Sequence, residues 1–306
     1  MRILVVGAGG VGGYFGGRLV EKGEDVTFLV RSKRKQQLEK NQLVINSVKG
    51  NFSFQPKLIT KADQSETFDI VLFSTKAYHL EEAIADLKPF IGEKTVIIPL
   101  LNGVAHLALL KETFSDQSVI GGLCFIETTL NENGEIIQTS DADRLVFGEL
   151  GDPNSERIQR IADAFSGTKA DFTLSNHIEQ DIWYKYSFIT VLSGVTTLMR
   201  APIGPIRTSD GGQAFVRQLF NEVVETMRAF GAPIQDGIVE KQMKAMNQLS
   251  YQMKSSMQRD MEKGSQIEGD FLQGYLLKLA KEYNIETPLL KVVYQNLKVY
   301  EQMLSI

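Results

Sequence analysis

The first 31 residues describe a β-α-β unit wrapped around a glycine fingerprint. Ile3-Leu4-Val5-Val6 is a short apolar strand, Gly7-Ala8-Gly9-Gly10-Val11-Gly12 follows at once as G-x-G-x-x-G, and Glu24–Val30 reads as a second strand that delivers Arg31. In this motif the first glycine makes the tight turn, the second lets a pyrophosphate approach the backbone, and the third lets helix and strand pack closely. The N-terminus of the helix that follows would present free N–H groups and a positive dipole end to the phosphates. Gly7, Gly9, Gly10, Val11 and Gly12 are therefore expected to bind a dinucleotide.

Arg31 selects the coenzyme. An NAD site usually carries Asp or Glu about 20 residues past the glycines, where it accepts from the ribose 2′-hydroxyl. This chain has Arg31-Ser32-Lys33-Arg34 there. A guanidinium suits a 2′-phosphate, which a carboxylate would repel. The expected coenzyme is NADPH, with Arg31 on its 2′-phosphate. Lys33 reads as part of a solvated basic loop.

The chain has 306 residues, 43% hydrophobic and 23% charged, with a formal net charge of −4. Its length allows two domains, and its charge gives no reason to expect nucleic acid as a partner. The single cysteine, Cys124, excludes an internal disulfide and sits in an apolar strand-like run. His79, His106 and His177 lack metal-ligand spacing, so no metal is expected. No apolar run reaches the length of a membrane span. With a nucleotide strand starting at Arg2, no secretory leader is expected and a cytoplasmic location follows.

Strand and helix alternate through the first half. Phe68–Ser74 and Thr95–Leu100 are nearly continuous apolar runs, as buried parallel strands are. Leu80–Phe90, Val104–Phe114 and Ser155–Phe165 read as helices. Ser118–Leu130 reads as a strand, and Ile136–Ser140 with Arg144–Glu149 as an antiparallel extension after a turn at Glu132-Asn133-Gly134. Ala170–Leu174 closes the series. Beyond Ser175 strand signals fade, and Asn176–Leu198, Gly212–Phe230, Gln235–Met257, Ser265–Tyr283 and Thr287–Met303 all carry helical periodicity. The expected architecture is α/β: a Rossmann-type doubly wound sheet over residues 1–174 and an all-helical substrate domain over 175–306.

Several residues are placed to do chemistry. Lys76 and Asn102 each follow a predicted strand at its carboxyl end, where open α/β sheets bind ligands. Lys185 lies in an otherwise apolar helix, Trp183 to Gly194, where a lysine must face a partner or a cavity. Glu268 is flanked by apolar residues near a helix start and could pair with Lys185. Ser256 could hydrogen-bond a carboxylate, although a plain helix-terminal serine reads the same way. Arg200 is a further candidate anchor for a carboxylate.

In this order the motifs resemble the ketopantoate reductase (2-dehydropantoate 2-reductase) family over essentially the whole chain. The matching pieces are the glycine run at 7–13, Arg31, Ser74-Thr75-Lys76-Ala77, Asn102-Gly103, Trp183-Tyr184-Lys185, Ser255-Ser256-Met257 with Asp260, and Ile267-Glu268-Gly269-Asp270. The resemblance implies NADPH-dependent reduction of a 2-oxo acid, with 2-dehydropantoate and pantothenate biosynthesis as the leading assignment. It implies that Lys185, Glu268 and Asn102 are catalytic, that Lys76 and Asn102 serve the coenzyme, and that Ser256 holds substrate. The family usually has asparagines four and eight residues after the lysine. This chain has Ile189 and Ser193, which makes the substrate-facing stripe less able to hydrogen-bond and keeps a more apolar 2-oxo acid in view. Related two-domain dehydrogenases of the hydroxyisobutyrate or 6-phosphogluconate kind fit Arg31 but not the 181–185 and 267–270 segments. A non-catalytic NADP(H) sensor would need none of the Lys76, Asn102, Lys185 and Glu268 set. A homodimer through the helical domain is compatible with the sequence, but no feature demands it.

Overall fold

The computed structural model describes residues 1–64 and 67–304. Its chain forms two compact units. One comprises residues 1–101 and 106–178; the other comprises 102–105 and 179–306. The first unit ends four residues beyond the expected boundary at 174, the helix expected from Asn176 starts at Ile178, and residues 102–105 from the first half belong with the helices.

The first unit runs β1 (Arg2–Val6), α1 (Gly10–Lys22), β2 (Asp25–Leu29), α2 (Ser32–Asn41), β3 (Leu43–Ser47), β4 (Phe52–Phe54), β5 (Lys57–Ile59), β6 (Phe68–Phe73), α3 (Leu80–Leu87), β7 (Ile91–Pro99), α4 (Ala105–Phe114), β8 (Gly121–Leu130), β9 (Ile136–Gly148), α5 (Glu156–Phe165) and β10 (Asp171–Leu174). One sheet has the order β5-β2-β1-β6-β7, every pair parallel. This is the doubly wound arrangement, with the glycine loop after its central strand. Ile3, Leu4, Val5, Ile70, Val71 and Leu72 are fully buried, as strands covered on both faces require.

A second sheet, β10-β9-β3-β4, has β8 paired antiparallel to β9. The two short runs expected after residue 135 are one 13-residue strand. Its polar middle stays in the strand because the pairing shifts register opposite Ile126–Thr128, and Ser140 binds the irregularity by accepting from the Glu127 N–H and donating to the Ala142 carbonyl. The turn at 131–134 forms where the sequence places it, with Gly134 N–H bonded to the Asn131 carbonyl. Helix α2 and strands β3 to β5 were not legible: α2 is strongly polar, with only Leu38 buried, and β4 and β5 have three residues each.

A buried polar cluster ties α1 to the second sheet. Tyr14 Oη donates to Asp143 at 2.8 Å, and the buried Arg18 guanidinium lies over the Tyr14 ring while donating to Glu21 and to the Gly50 carbonyl.

The second unit is helical: α6 (Ile178–Met199), α7 (Ile203–Thr208), α8 (Gly212–Phe230), α9 (Ile238–Gln248), α10 (Ser256–Glu262), α11 (Tyr275–Glu282) and α12 (Pro288–Leu304). The single helix expected over 235–257 is two, α9 and α10. The backbone between them is used elsewhere: the Tyr251 and Met253 carbonyls accept from Gly204 and Ile203 N–H, and Ser255 caps α10 by accepting from Gln258 N–H. The helix expected from Ser265 begins only at Asp270, as a π-helical segment, Asp270–Gly274, that leads into α11. Glu222 on α8 sends its carboxylate to the Leu289 and Leu290 N–H groups and so caps α12. No helix among the described residues is long and apolar enough to cross a membrane.

Candidate active site

The glycine loop has a different geometry at each glycine. Gly7 adopts φ +93°, a conformation that side chains resist, and its N–H bonds the Leu29 carbonyl. A Cβ at Gly12 would lie 2.0 Å from Ser74 Oγ and 2.2 Å from the Gly7 carbonyl oxygen, so only glycine lets α1 sit this close to the strands. At Gly9 a Cβ would meet nothing within 4 Å, which leaves the backbone open to an approaching group. Gly10 faces Thr128 of β8, whose Oγ1 would be 2.7 Å from a Cβ, and Val11 packs against the core. The first turn of α1 contains no acidic residue, so its positive end is uncompensated from within the helix.

Arg31 occupies the N-cap position of α2, and its guanidinium pairs with the Glu82 carboxylate in the first turn of α3. Both side chains are about half exposed. The segment expected as a basic loop is the start of this helix. Arg34, one turn in, donates to the Ala8 carbonyl at 3.2 Å and to the Gly134 carbonyl at 3.0 Å, which ties the glycine loop to the β8–β9 turn. Lys76 follows β6 at the N-cap position of a short 3-10 turn, Ala77–His79. Burial, then the nearby Arg31, lowers the His79 pKa against the opposing pull of Glu82, so His79 is neutral at pH 7.

In the helical unit, Lys185 Nζ donates to Asn102 Oδ1 at 3.0 Å. Lys185 is only 7% exposed although it ends in an ammonium group. The loop carrying Asn102 is fixed by Gly103, at φ +78°, where a Cβ would sit 3.1 Å from Leu272 and 3.3 Å from the Phe271 carbonyl. Tyr186, next to Lys185, donates to the Leu272 carbonyl at 2.6 Å. Burial holds the Tyr186 hydroxyl well above its usual pKa, so it remains a donor. Leu272 N–H in turn bonds the Glu268 carbonyl. This chain of contacts joins the Lys185 helix, the Asn102 loop and the Glu268 segment. Glu268 itself is buried.

The π-helical segment is part of that assembly. Its wide turn is closed by Gly274 N–H on the Gly269 carbonyl at 2.9 Å. Both positions are glycine because Leu297 and Tyr294 of α12 pack where a Cβ would project. Such segments recur at functional sites because they re-aim side chains. Here the segment carries the fully buried Gln273, whose amide donates to Ser193 Oγ at 2.8 Å and to the Thr190 carbonyl at 3.0 Å.

The remaining predicted residues lie along α6 and at α10. Ile189 is half-buried, one turn from Lys185. Ser193 is buried, and its hydroxyl is engaged by Gln273 and the Thr190 carbonyl. Ser256 is exposed at the first position of α10, whereas Ser255 is buried and shares a 2.8 Å hydrogen bond with Thr196 Oγ1. Arg200 is exposed in the left-handed region, φ 51°, just past the end of α6. Gln273, Tyr186 and Glu82 were missed in the sequence. Gln273 lies inside the 266–274 segment already singled out, but nothing in its spacing marks it. Glu82 is 51 residues from Arg31, beyond the reach of any local pattern.

The ketopantoate reductase PanE/ApbA family model matches residues 3–152, and the model of that family's C-terminal region matches residues 177–301. The chain is 50% identical to an uncharacterized oxidoreductase, YkpB, of Bacillus subtilis, over 98% of this chain and 99% of that protein. Among solved structures it resembles a 2-dehydropantoate 2-reductase from Geobacter metallireducens, with a TM-score of 0.88 and 26% identity over 98% of this chain and 99% of that one. It shares its fold with a D-mandelate dehydrogenase determined with NADH and anilino(oxo)acetate, with a TM-score of 0.90 and 19% identity over the full length of both. A Rossmann-type sheet, a helical C-terminal unit and matches along nearly the whole chain lead to one conclusion: this protein is an oxidoreductase of the ketopantoate reductase family, acting on a keto or hydroxyl group.

Proposed function

We propose that the chain is an NADPH-dependent reductase of 2-oxo acids, with Lys185 as proton donor and 2-dehydropantoate as the first substrate to consider. The observation that carries this reading is the buried Lys185 ammonium held by Asn102. A buried ammonium held in place by an amide oxygen is poised to stabilise a developing alkoxide and give it a proton.

The coenzyme side fits the same reading. The open backbone at Gly9 and the uncompensated start of α1 suit a pyrophosphate, and Arg31 already binds an anionic oxygen. Lys76 stands at the carboxyl end of β6 as a second cation. When bound, NADPH supplies the hydride to the keto carbon. Lys185 then holds the carbonyl oxygen and delivers its proton there, while Asn102 keeps the ammonium aimed. Glu268, on the segment that Tyr186 anchors, is assigned to orient Lys185 and substrate, and Ser256 to the substrate carboxylate. Most of the rate gain comes from positioning and electrostatics. Reduction of 2-dehydropantoate to pantoate would place the protein in pantothenate biosynthesis.

A second reading is favoured by Ile189 and Ser193. The former offers no hydrogen bond, and the latter's hydroxyl is taken by Gln273 and Thr190. This stripe suits a 2-oxo acid with an apolar side chain better than a hydroxylated one. Steady-state NADPH oxidation against 2-dehydropantoate and a panel of apolar 2-oxo acids separates the two. If the apolar substrate is the true one, Ile189→Asn combined with Ser193→Asn raises kcat/KM on 2-dehydropantoate. If 2-dehydropantoate is already turned over efficiently, the double substitution gives no gain.

A further inference from the structure

Arg31 is not waiting empty for a phosphate. Its guanidinium holds Glu82, an anion that offers the same kind of oxygen at the same donor. The two residues come from different elements, the start of α2 and the first turn of α3, so the pair links the segments that follow β2 and β6. His79 Nδ1 lies 3.9 Å from the Glu82 carboxylate, and Lys35, further along α2, pairs with Asp63. His79 is neutral at pH 7, so it contributes no competing charge.

A ligand phosphate must therefore displace Glu82 or share Arg31 with it. An exposed ion pair is weak and breaks readily, so the competition is modest and leaves the site usable. A ligand without a 2′-phosphate has no need to break the pair. Glu82 thus acts only against one class of ligand.

We propose that Glu82 is a specificity-determining residue for the coenzyme: by occupying Arg31 it lowers affinity for 2′-phosphorylated adenine nucleotides and narrows the gap between NADPH and NADH. This inference rests on the assignment of Arg31 to the 2′-phosphate. It predicts that the chain retains appreciable NADH binding despite its arginine. Releasing Arg31 widens the preference for NADPH.

The test is calorimetric binding of 2′,5′-ADP and of ADP to the full chain, with Glu82→Gln and Arg31→Ala alongside wild type. Glu82→Gln is expected to tighten 2′,5′-ADP by up to roughly fivefold, the range an exposed pair allows, with ADP almost unchanged. If Glu82→Gln leaves 2′,5′-ADP unchanged or weakens it while Arg31→Ala weakens it strongly, the role of Glu82 is overturned and that of Arg31 survives. If Arg31→Ala affects 2′,5′-ADP and ADP equally, the phosphate assignment fails and this inference fails with it. Thermal denaturation of both variants without ligand verifies that each is folded.

Discussion

Lys185 Nζ and Asn102 Oδ1 are 3.0 Å apart, although 83 residues separate them in the chain. The lysine comes from the long α6 helix, and the amide from the loop that follows β7 and belongs with the helical unit. The amide oxygen steers the ammonium without adding a negative charge of its own. Asn102→Ala should therefore lower kcat by about 10- to 100-fold, in the range of general-acid and positioning effects. Asn102→Asp should also be slow, because a negative charge added at that position opposes the alkoxide that forms beside Lys185. Single-turnover rates with saturating coenzyme check both.

The glycine loop predicts opposite outcomes at two neighbouring positions. At Gly12 an alanine Cβ would collide with the Gly7 carbonyl at 2.2 Å, and backbone there cannot yield cheaply. Gly12→Ala should cost more than about 3 kcal/mol of stability, or prevent folding. At Gly9 there is open space, so Gly9→Ala should keep its Tm and lose coenzyme affinity. Thermal denaturation and NADPH fluorescence titration separate the two effects.

Acid stability should depend on Glu149. Burial pushes this carboxyl up, but hydrogen bonds from Arg157 and Ser155 and the Arg157 charge outweigh it and leave its pKa below the ordinary value. A lowered folded-state pKa gives stability above the unfolded value, about 4.3, that is lost as pH falls through the folded value. The Tm difference between wild type and Glu149→Gln should be largest at neutral pH and should close as pH drops below about 4. A difference that stays constant with pH would show that the pair contributes nothing through ionisation.

Helix α12 depends on a cap supplied from another helix. Glu222, 3% exposed, accepts from Leu289 N–H at 3.1 Å and Leu290 N–H at 2.9 Å. Glu222→Ala leaves the buried Leu290 N–H and the half-buried Leu289 N–H without this acceptor and should cost about 1–3 kcal/mol. Urea denaturation measures it, and the loss should appear in the midpoint with little change in slope.

The nucleotide half was legible because its signals are local. A glycine fingerprint, apolar parallel strands and the position of Arg31 all lie within short windows. Lys185 was legible because a lysine inside an apolar helix has few places to go. The helical unit was harder. Its turns are set by who uses the backbone, as at Tyr251 and Met253, where carbonyls bonded to α7 end one helix before the next starts. The π-helical turn depends on Leu297 and Tyr294, packed against glycines 28 and 20 residues upstream. Gln273 and Glu82 acquire their roles from tertiary neighbours, Ser193 and Arg31, that no periodicity connects to them.

The most direct measurement compares NADPH oxidation by wild type and Lys185→Ala with 2-dehydropantoate and with apolar 2-oxo acids, alongside the NADPH dissociation constant of each protein. The proposed mechanism predicts turnover of at least one 2-oxo acid by wild type, a loss of about 100-fold or more in kcat for the variant, and similar NADPH affinity in both. Comparable turnover by the variant would remove Lys185 from the chemistry, and tight NADPH binding with no turnover of any 2-oxo acid would make the protein a coenzyme sensor instead.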